Sequence, residues 1–161
     1  MSTTYFVDSV DGLESNVGYD IDHPVATATR ALALCVAGDT VYLLTSITEV
    51  VTIAKDGITL AGSTVNGGIV ISNADNVTIT SLLIANATTG ISIDANCDST
   101  KIGSDVYFSN VTTDLADSGT NTLDVRIGTT EVAAAVRVEL ANELAVIINE
   151  LLREKRFIAL Q

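Results

Sequence analysis

Asp56-Gly57-Ile58-Thr59-Leu60 returns nineteen residues later as Asp75-Asn76-Val77-Thr78-Ile79, and Gly68-Ile69-Val70-Ile71-Ser72 returns twenty-two residues later as Gly90-Ile91-Ser92-Ile93-Asp94. In each copy apolar residues alternate with polar ones, the period of a strand, and Gly, Asn or Asp marks the turn beside it. A third pair, Asn86-Ala87-Thr88-Thr89 and Asn110-Val111-Thr112-Thr113, is separated by twenty-four residues and follows an apolar strand both times. Unequal spacings with a constant strand pattern suit stacked coils whose strands stay in register while the connecting turns vary in length.

Outward from this stretch the strand pattern covers Val41–Leu43, Val51–Ile53, Ile58–Leu60, Ile69–Ile71, Val77–Ile79, Leu82–Ile84, Ile91–Ile93, Val106–Phe108 and Leu123–Val125. Between Thr40 and Gly128 there is room for about four rungs, which at about 4.8 Å per rung make a stack about 20 Å tall. The fold class read from this is mainly β: a short right-handed parallel β-helix, with an N-terminal capping helix and a long C-terminal α-helix. Asn86 and Asn110 either stack as an internal asparagine ladder that satisfies the turn backbone or stand as solvent-facing turn residues.

Before the repeats, Tyr5-Phe6-Val7 reads as a strand and leads into an acidic loop that ends at the only proline, Pro24. Ala28 to Ala37 places Leu32, Cys35 and Val36 on one helical face, so a short helix here would cover the open end of the stack, and Gly38-Asp39 would stop it. After the repeats, Thr129-Thr130-Glu131 supplies capping hydroxyls and an early negative charge. From Val132 to about Arg156 there is neither Gly nor Pro, which predicts a helix of about 25 residues. Residues 1–128 thus form one unit, cap and β-helix, and residues 129–161 a second.

The C-terminal helix would carry an apolar stripe, Val136, Leu140, Leu144, Ile147 and Leu151, with Ile148 and Leu152 beside it. The spacing over Leu140, Leu144, Ile147 and Leu151 is that of a coiled coil. The helix either folds back on its own β-helix or serves self-association and docking. The terminal Phe157, Ile158 and Leu160 favour a partner, because apolar residues at a chain end fray unless something covers them. The expected interface is therefore Val136, Leu140, Leu144, Ile147, Ile148, Leu151, Phe157, Ile158 and Leu160.

Composition narrows the function. Of a formal charge of −12, residues 1–128 hold fifteen Asp/Glu against four Lys/Arg, and residues 129–161 five against four. An acidic body repels phosphate backbones and so argues against nucleic-acid binding. The chain shows no signal peptide, and no apolar run approaches the 18 or so residues of a membrane span, so a soluble product made in the cytoplasm is expected. Cys35 and Cys97 lie sixty-two residues apart and read as small buried residues rather than a pair.

Catalytic chemistry finds little footing. His23 is the only histidine, so no His-His metal site exists, and no G-x-S-x-G, P-loop or G-x-G-x-x-G motif appears. Asp94, Asp98, Asp105, Asp114 and Asp117 fall in turns or at strand ends, where Asp is expected anyway. Asp8, Asp11, Glu14, Asp20 and Asp22 lack the alternating ligand spacing of a Ca²⁺ loop and read as a solvated acidic loop. No catalytic, cofactor or metal site is expected, and the chain is read as non-enzymatic.

Tyr5-Phe6-Val7-Asp8, Asp11-Gly12, Asn16-x-Gly18, Pro24, Thr27-Ala28-Thr29, Ala31-Leu32 and Ala37-Gly38-Asp39-Thr40-Val41-Tyr42-Leu43 together resemble the N-terminal opening of pectate-lyase-like right-handed β-helix proteins. The resemblance speaks for fold and little for function, since enzymes, adhesins and inert structural proteins share that opening. The segment Val132 to Ala145 is similar to a helical C-terminal segment of virion proteins of tailed bacteriophages. This second resemblance implies a homotrimeric virion protein without enzymatic activity, a capsid decoration or a head or tail attachment protein. Its partners would be copies of itself and another virion protein, such as the major capsid or a tail or neck protein. The competing implication is a tailspike-like adhesin that binds or cleaves host-surface glycan; no nucleic acid and no membrane is implied as partner.

Overall fold

Every pairing between strands in the computed structural model, which describes residues 1–128, is parallel. In chain order the elements are β1 (Thr4–Val7), α1 (Ala28–Leu34), β2 (Thr40–Leu43), β3 (Ile47–Thr48), β4 (Val51–Ile53), β5 (Thr59–Gly62), β6 (Thr64–Asn66) and β7 (Ile69–Ile71). They continue with β8 (Thr78–Ile79), β9 (Leu82–Ile93), β10 (Lys101–Ile102), β11 (Val106–Asp117), β12 (Leu123–Asp124) and a 3₁₀ turn over Val125–Gly128. One sheet runs β1-β2-β5-β8-β10-β12, the other β3-β6-β9-β7-β4 with β11 on β9. The chain winds as a parallel β-solenoid of about four turns.

The repeats read from the sequence are the coils. Thr59 pairs with Thr78 and Leu60 with Ile79, the nineteen-residue offset. Ile69 pairs with Ile91 and Ile71 with Ile93, the twenty-two-residue offset. Ala87 pairs with Val111 and Thr89 with Thr113, the twenty-four-residue offset. The change from nineteen to twenty-two has a local cause. In one coil Gly67 and Gly68, both at positive φ, turn the chain between β6 and β7. The next coil passes the same corner as one continuous strand, with three more residues between Ala85 and Ile91 than lie between their partners Asn66 and Ile69.

Strand alternation fills the interior with stacked aliphatics: Val51, Ile69 and Ile91 form one column, Ile53, Ile71 and Ile93 another, and Val41, Leu60, Ile79 and Ile102 a third, all buried. β-Branched side chains suit such columns because they pack on a pleated surface with little rotamer freedom to lose. In the last coil the third column ends in a charge, Asp124, which pairs with Ile102. Its carboxylate is held by Arg126 at 2.6 Å, and the guanidinium lies over the Phe108 ring, 4.3 Å from the centroid. Gly90 makes room for that ring, since a Cβ there would sit on Phe108 and on the Asp114 carbonyl oxygen.

Several expectations are corrected. β3, β6 and β10 are strands that the apolar pattern missed, being only two or three residues long. Leu82–Ile84 and Ile91–Ile93 belong to the single strand β9, Val106–Phe108 extends to Asp117 as β11, and Val125 lies in the 3₁₀ turn. The N-terminal helix ends at Leu34 rather than Ala37, so Leu32 and Cys35 are buried while Val36 is 64% exposed. The expected helix over 132–156 and the unit 129–161 lie outside the described residues. No helix among the described residues is long and apolar enough to cross a membrane.

The early stop of α1 follows from what holds it. Lys55, just past β4, donates to the carbonyls of Leu32 (2.7 Å), Ala33 (3.2 Å) and Cys35 (2.6 Å), and the Asp39 carboxylate takes the Val36 N–H. At the other end Glu49, just before β4, accepts from the Ala28 and Thr29 amides and from the Thr29 hydroxyl. A seven-residue helix is too short to persist alone. Opposite charges flanking one strand thus complement both ends of its dipole and fasten it to the coils. Replacing Glu49→Gln together with Lys55→Met is expected to lower stability by about 1–3 kcal/mol. It should also speed the reaction of the Cys35 thiol with a disulfide reagent while leaving Cys97 protected, and equal protection of both thiols would contradict this account of α1.

Candidate functional site

The corners of the coils demand residues that tolerate a left-handed backbone, and the chain places Gly38, Gly57, Asn76, Ser99 and Asn121 at successive turns, all at positive φ. The last four are each preceded by a residue positioned to bond the coil beside it, Asp56, Asp75, Asp98 and Thr120. The Asp56 carboxylate accepts from the Asp75 N–H at 2.9 Å, and that of Asp75 from the Asp98 N–H at 2.8 Å. Asp98 then accepts from the Asn121 amide at 2.8 Å and the Thr120 hydroxyl at 3.2 Å. These donors, the Asn121 side chain first, hold the Asp98 carboxyl below its ordinary range.

A second column runs along another corner. Asn110 donates to Asn86 at 2.9 Å, Asn86 to Asn66 at 2.8 Å, and Asn66 to the Ile47 carbonyl at 3.3 Å. Asn86 and Asn110 form a ladder, but both are exposed, so the ladder runs along the outside of the coils and not inside them as expected. Asn66, its third member, was missed in the sequence because Gly67 and Gly68 mask its likeness to the other two; the signal that finds it is the twenty-residue step back from Asn86.

Beside the corner between β5 and β6, three coils enclose an open depression of about 400 Å³ lined by Gly62, Ser63, Thr64, Leu83, Asp105 and Tyr107 among others. On its floor Thr64, Leu83 and Tyr107 occupy successive positions of one outward column. Leu83 is 37% and Tyr107 64% exposed. At its edge the Asp105 carboxylate accepts from the Ser81 hydroxyl at 2.7 Å and the Thr80 hydroxyl at 3.0 Å. The Ser81 N–H, then its hydroxyl, pull the Asp105 carboxyl down to about 2.

The other titratable groups are similarly occupied. Asp8 is held low chiefly by the Val10 N–H, and Asp20 by the Asp22 N–H with His23 at 3.1 Å. Burial first, and then Asp39, push the Cys35 thiol up to about 11, which keeps it from acting as a thiolate. Asp39, itself buried, accepts from the Thr3 and Val36 amides. Asp94 takes the Ser72 hydroxyl at 2.6 Å, and Asp114, placed by sequence in a turn or at a strand end, lies within β11 and reaches Arg126 only at 4.0 Å. Among the described residues no group of three His, Cys, Asp or Glu side chains is placed to hold a metal ion, and both cysteines are free and buried.

The nine residues assigned by sequence to an assembly interface, Val136, Leu140, Leu144, Ile147, Ile148, Leu151, Phe157, Ile158 and Leu160, all lie outside the described residues. No family model matches the chain. No curated protein matches it, and no solved structure does either.

A lowered carboxyl stabilises the fold wherever it is ionised, above its ordinary value of 3.8, and that contribution disappears as the pH falls through the folded-state value of about 2. Asp105→Asn is therefore expected to lower the urea midpoint by a constant amount above pH 4, with the difference from the parent closing between about pH 4 and pH 2. A difference that persists undiminished at pH 2 would mean that the carboxylate's charge is not what binds these coils together.

Proposed function

We propose that the chain is a non-enzymatic structural protein of a tailed-phage virion, a homotrimer that decorates the capsid or forms part of a head or tail attachment and projects an acidic β-helix from the particle. The observation that carries this reading is the work assigned to the polar side chains. Asp56, Asp75, Asp98, Asn66, Asn86 and Asn110 bond coil to coil, and among the described residues every carboxyl with a displaced pKa is displaced downward. Standing acceptors of this kind reinforce a scaffold, whereas a general acid needs a carboxyl raised toward neutrality.

In this reading α1 serves as the cap of the N-terminal coil. The apolar residues from Val136 to Leu160 supply self-association and anchoring to a capsid, tail or neck protein, and the excess of carboxylates on residues 1–128 keeps neighbouring bodies apart. The protein is made in the host cytoplasm and resides in the virion. It has no cofactor and binds neither nucleic acid nor membrane.

The depression at Tyr107 favours a second reading, an adhesin for host-surface glycan. An exposed ring beside Leu83 and a fixed acceptor such as Asp105 is the combination that stacks on a sugar face and orders its hydroxyls. Light scattering of the full chain is expected to give a mass near three chains, and of residues 1–128 a single folded chain; a truncated chain that still trimerises would remove the C-terminal assignment. A glycan screen on the same samples separates the readings. Binding lost in Tyr107→Ala supports the adhesin, and cleavage of any polysaccharide would overturn the non-enzymatic one.

A further inference from the structure

The loop between β1 and α1 has a surface at odds with its order. Its backbone is closed on itself and on the first strand: Phe6 N–H bonds the Gly18 carbonyl at 2.7 Å, Gly12 N–H bonds Asp8, Leu13 N–H and the Asn16 side chain both bond the Pro24 carbonyl, and Val25 N–H returns to Phe6. Gly18, Pro24 and Val25 are buried beneath it. Yet Val10, Leu13, Val17, Tyr19 and Ile21 all point into solvent, between 47% and 76% exposed. Five large apolar side chains exposed within twelve residues of an ordered loop are a concentration that soluble surfaces avoid unless something covers them.

Charge narrows what that cover is. Asp11, Glu14, Asp20 and Asp22 are interleaved with the apolar residues, and no Lys or Arg occurs before Arg30. An anionic lipid surface or a nucleic acid is repelled by these carboxylates, as is the acidic body of a second copy. A protein face that mixes Lys and Arg with apolar residues gains on both counts: the loop supplies ordered apolar contact and, interleaved with it, carboxylates. We propose that the loop from Asp8 to His23 is a docking surface for a partner protein that presents a cationic, apolar face. This rests on the reading of the chain as a component of an assembly, and it gives the body of the β-helix an attachment point of its own, separate from residues 129–161.

The test uses the full chain and a synthetic amphipathic helix of fourteen Leu and Lys residues as the cationic, apolar probe, with a Leu and Glu helix of the same pattern as control. The Lys probe is expected to bind, more weakly as salt is raised, and the Glu probe not to bind. The decisive variant is Leu13→Ser, Tyr19→Ser and Ile21→Ser together, which leaves the net charge untouched and, with all three side chains exposed, should leave the melting temperature unchanged. At least a tenfold loss of Lys-probe affinity in this variant supports the proposal. Equal binding by parent and variant, which would show attraction by bulk charge alone, overturns it, and so does no binding by the parent. A parent that proves monomeric yet binds the probe through these three residues would remove the trimer and leave the docking surface standing, so the two readings fail separately.

Discussion

Vertical register between coils is the constraint on which the rest of this structure depends. A parallel solenoid has no hairpin to set pairing, so each turn must return the chain one strand spacing higher, with its apolar residues above those of the previous turn. Here that return is fixed at the corners. A residue at positive φ bends the chain at Gly57, Asn76, Ser99 and Asn121, and the Asp or Thr before each is tied to a neighbouring coil. With the corners aligned, the Val and Ile columns inside follow without any single large anchor, which is how a chain with 4% aromatic residues builds a core.

The same constraint makes the ends of the stack the difficult places, since a terminal coil has a neighbour on one side only. α1 is fastened to the coils by Glu49 and Lys55, and Asp39 reaches the Thr3 amide. In the last described coils the interior column turns polar: Thr100 and Thr122 precede β10 and β12 with buried hydroxyls, and Asp124 is neutralised by Arg126 on Phe108.

Much of the fold was legible because the repeats carry their own phase. Asp56-Gly57 and Asp75-Asn76 announce the same corner twice, and Ile69-Val70-Ile71 and Ile91-Ser92-Ile93 the same strand. What escaped is what lacks periodicity. Ile47-Thr48 and Lys101-Ile102 are too short to show alternation and become strands only because a neighbouring coil pairs with them. The end of α1 at Leu34 was invisible because its cause, the Lys55 ammonium, lies twenty residues downstream. The depression at Tyr107 was hidden for the same reason: Ser63, Ser81 and Asp105 meet only through stacking, and no local motif joins them. The residues read from sequence as an interface remain a matter of pattern alone, an apolar stripe at helical spacing.

The ladders line the corners of the coils, whereas the loop and the depression expose apolar side chains. The central claim, that stacked polar corners hold one coil to the next, is tested most directly by a double-mutant cycle in the asparagine column, with Asn86→Gly, Asn110→Gly and the pair compared by urea unfolding. Glycine keeps the left-handed backbone and removes only the ladder. The account expects the two changes to be coupled by about 0.5 kcal/mol or more, because each breaks the same bond; strictly additive effects would show that the corners align for other reasons and that the ladder merely accompanies them.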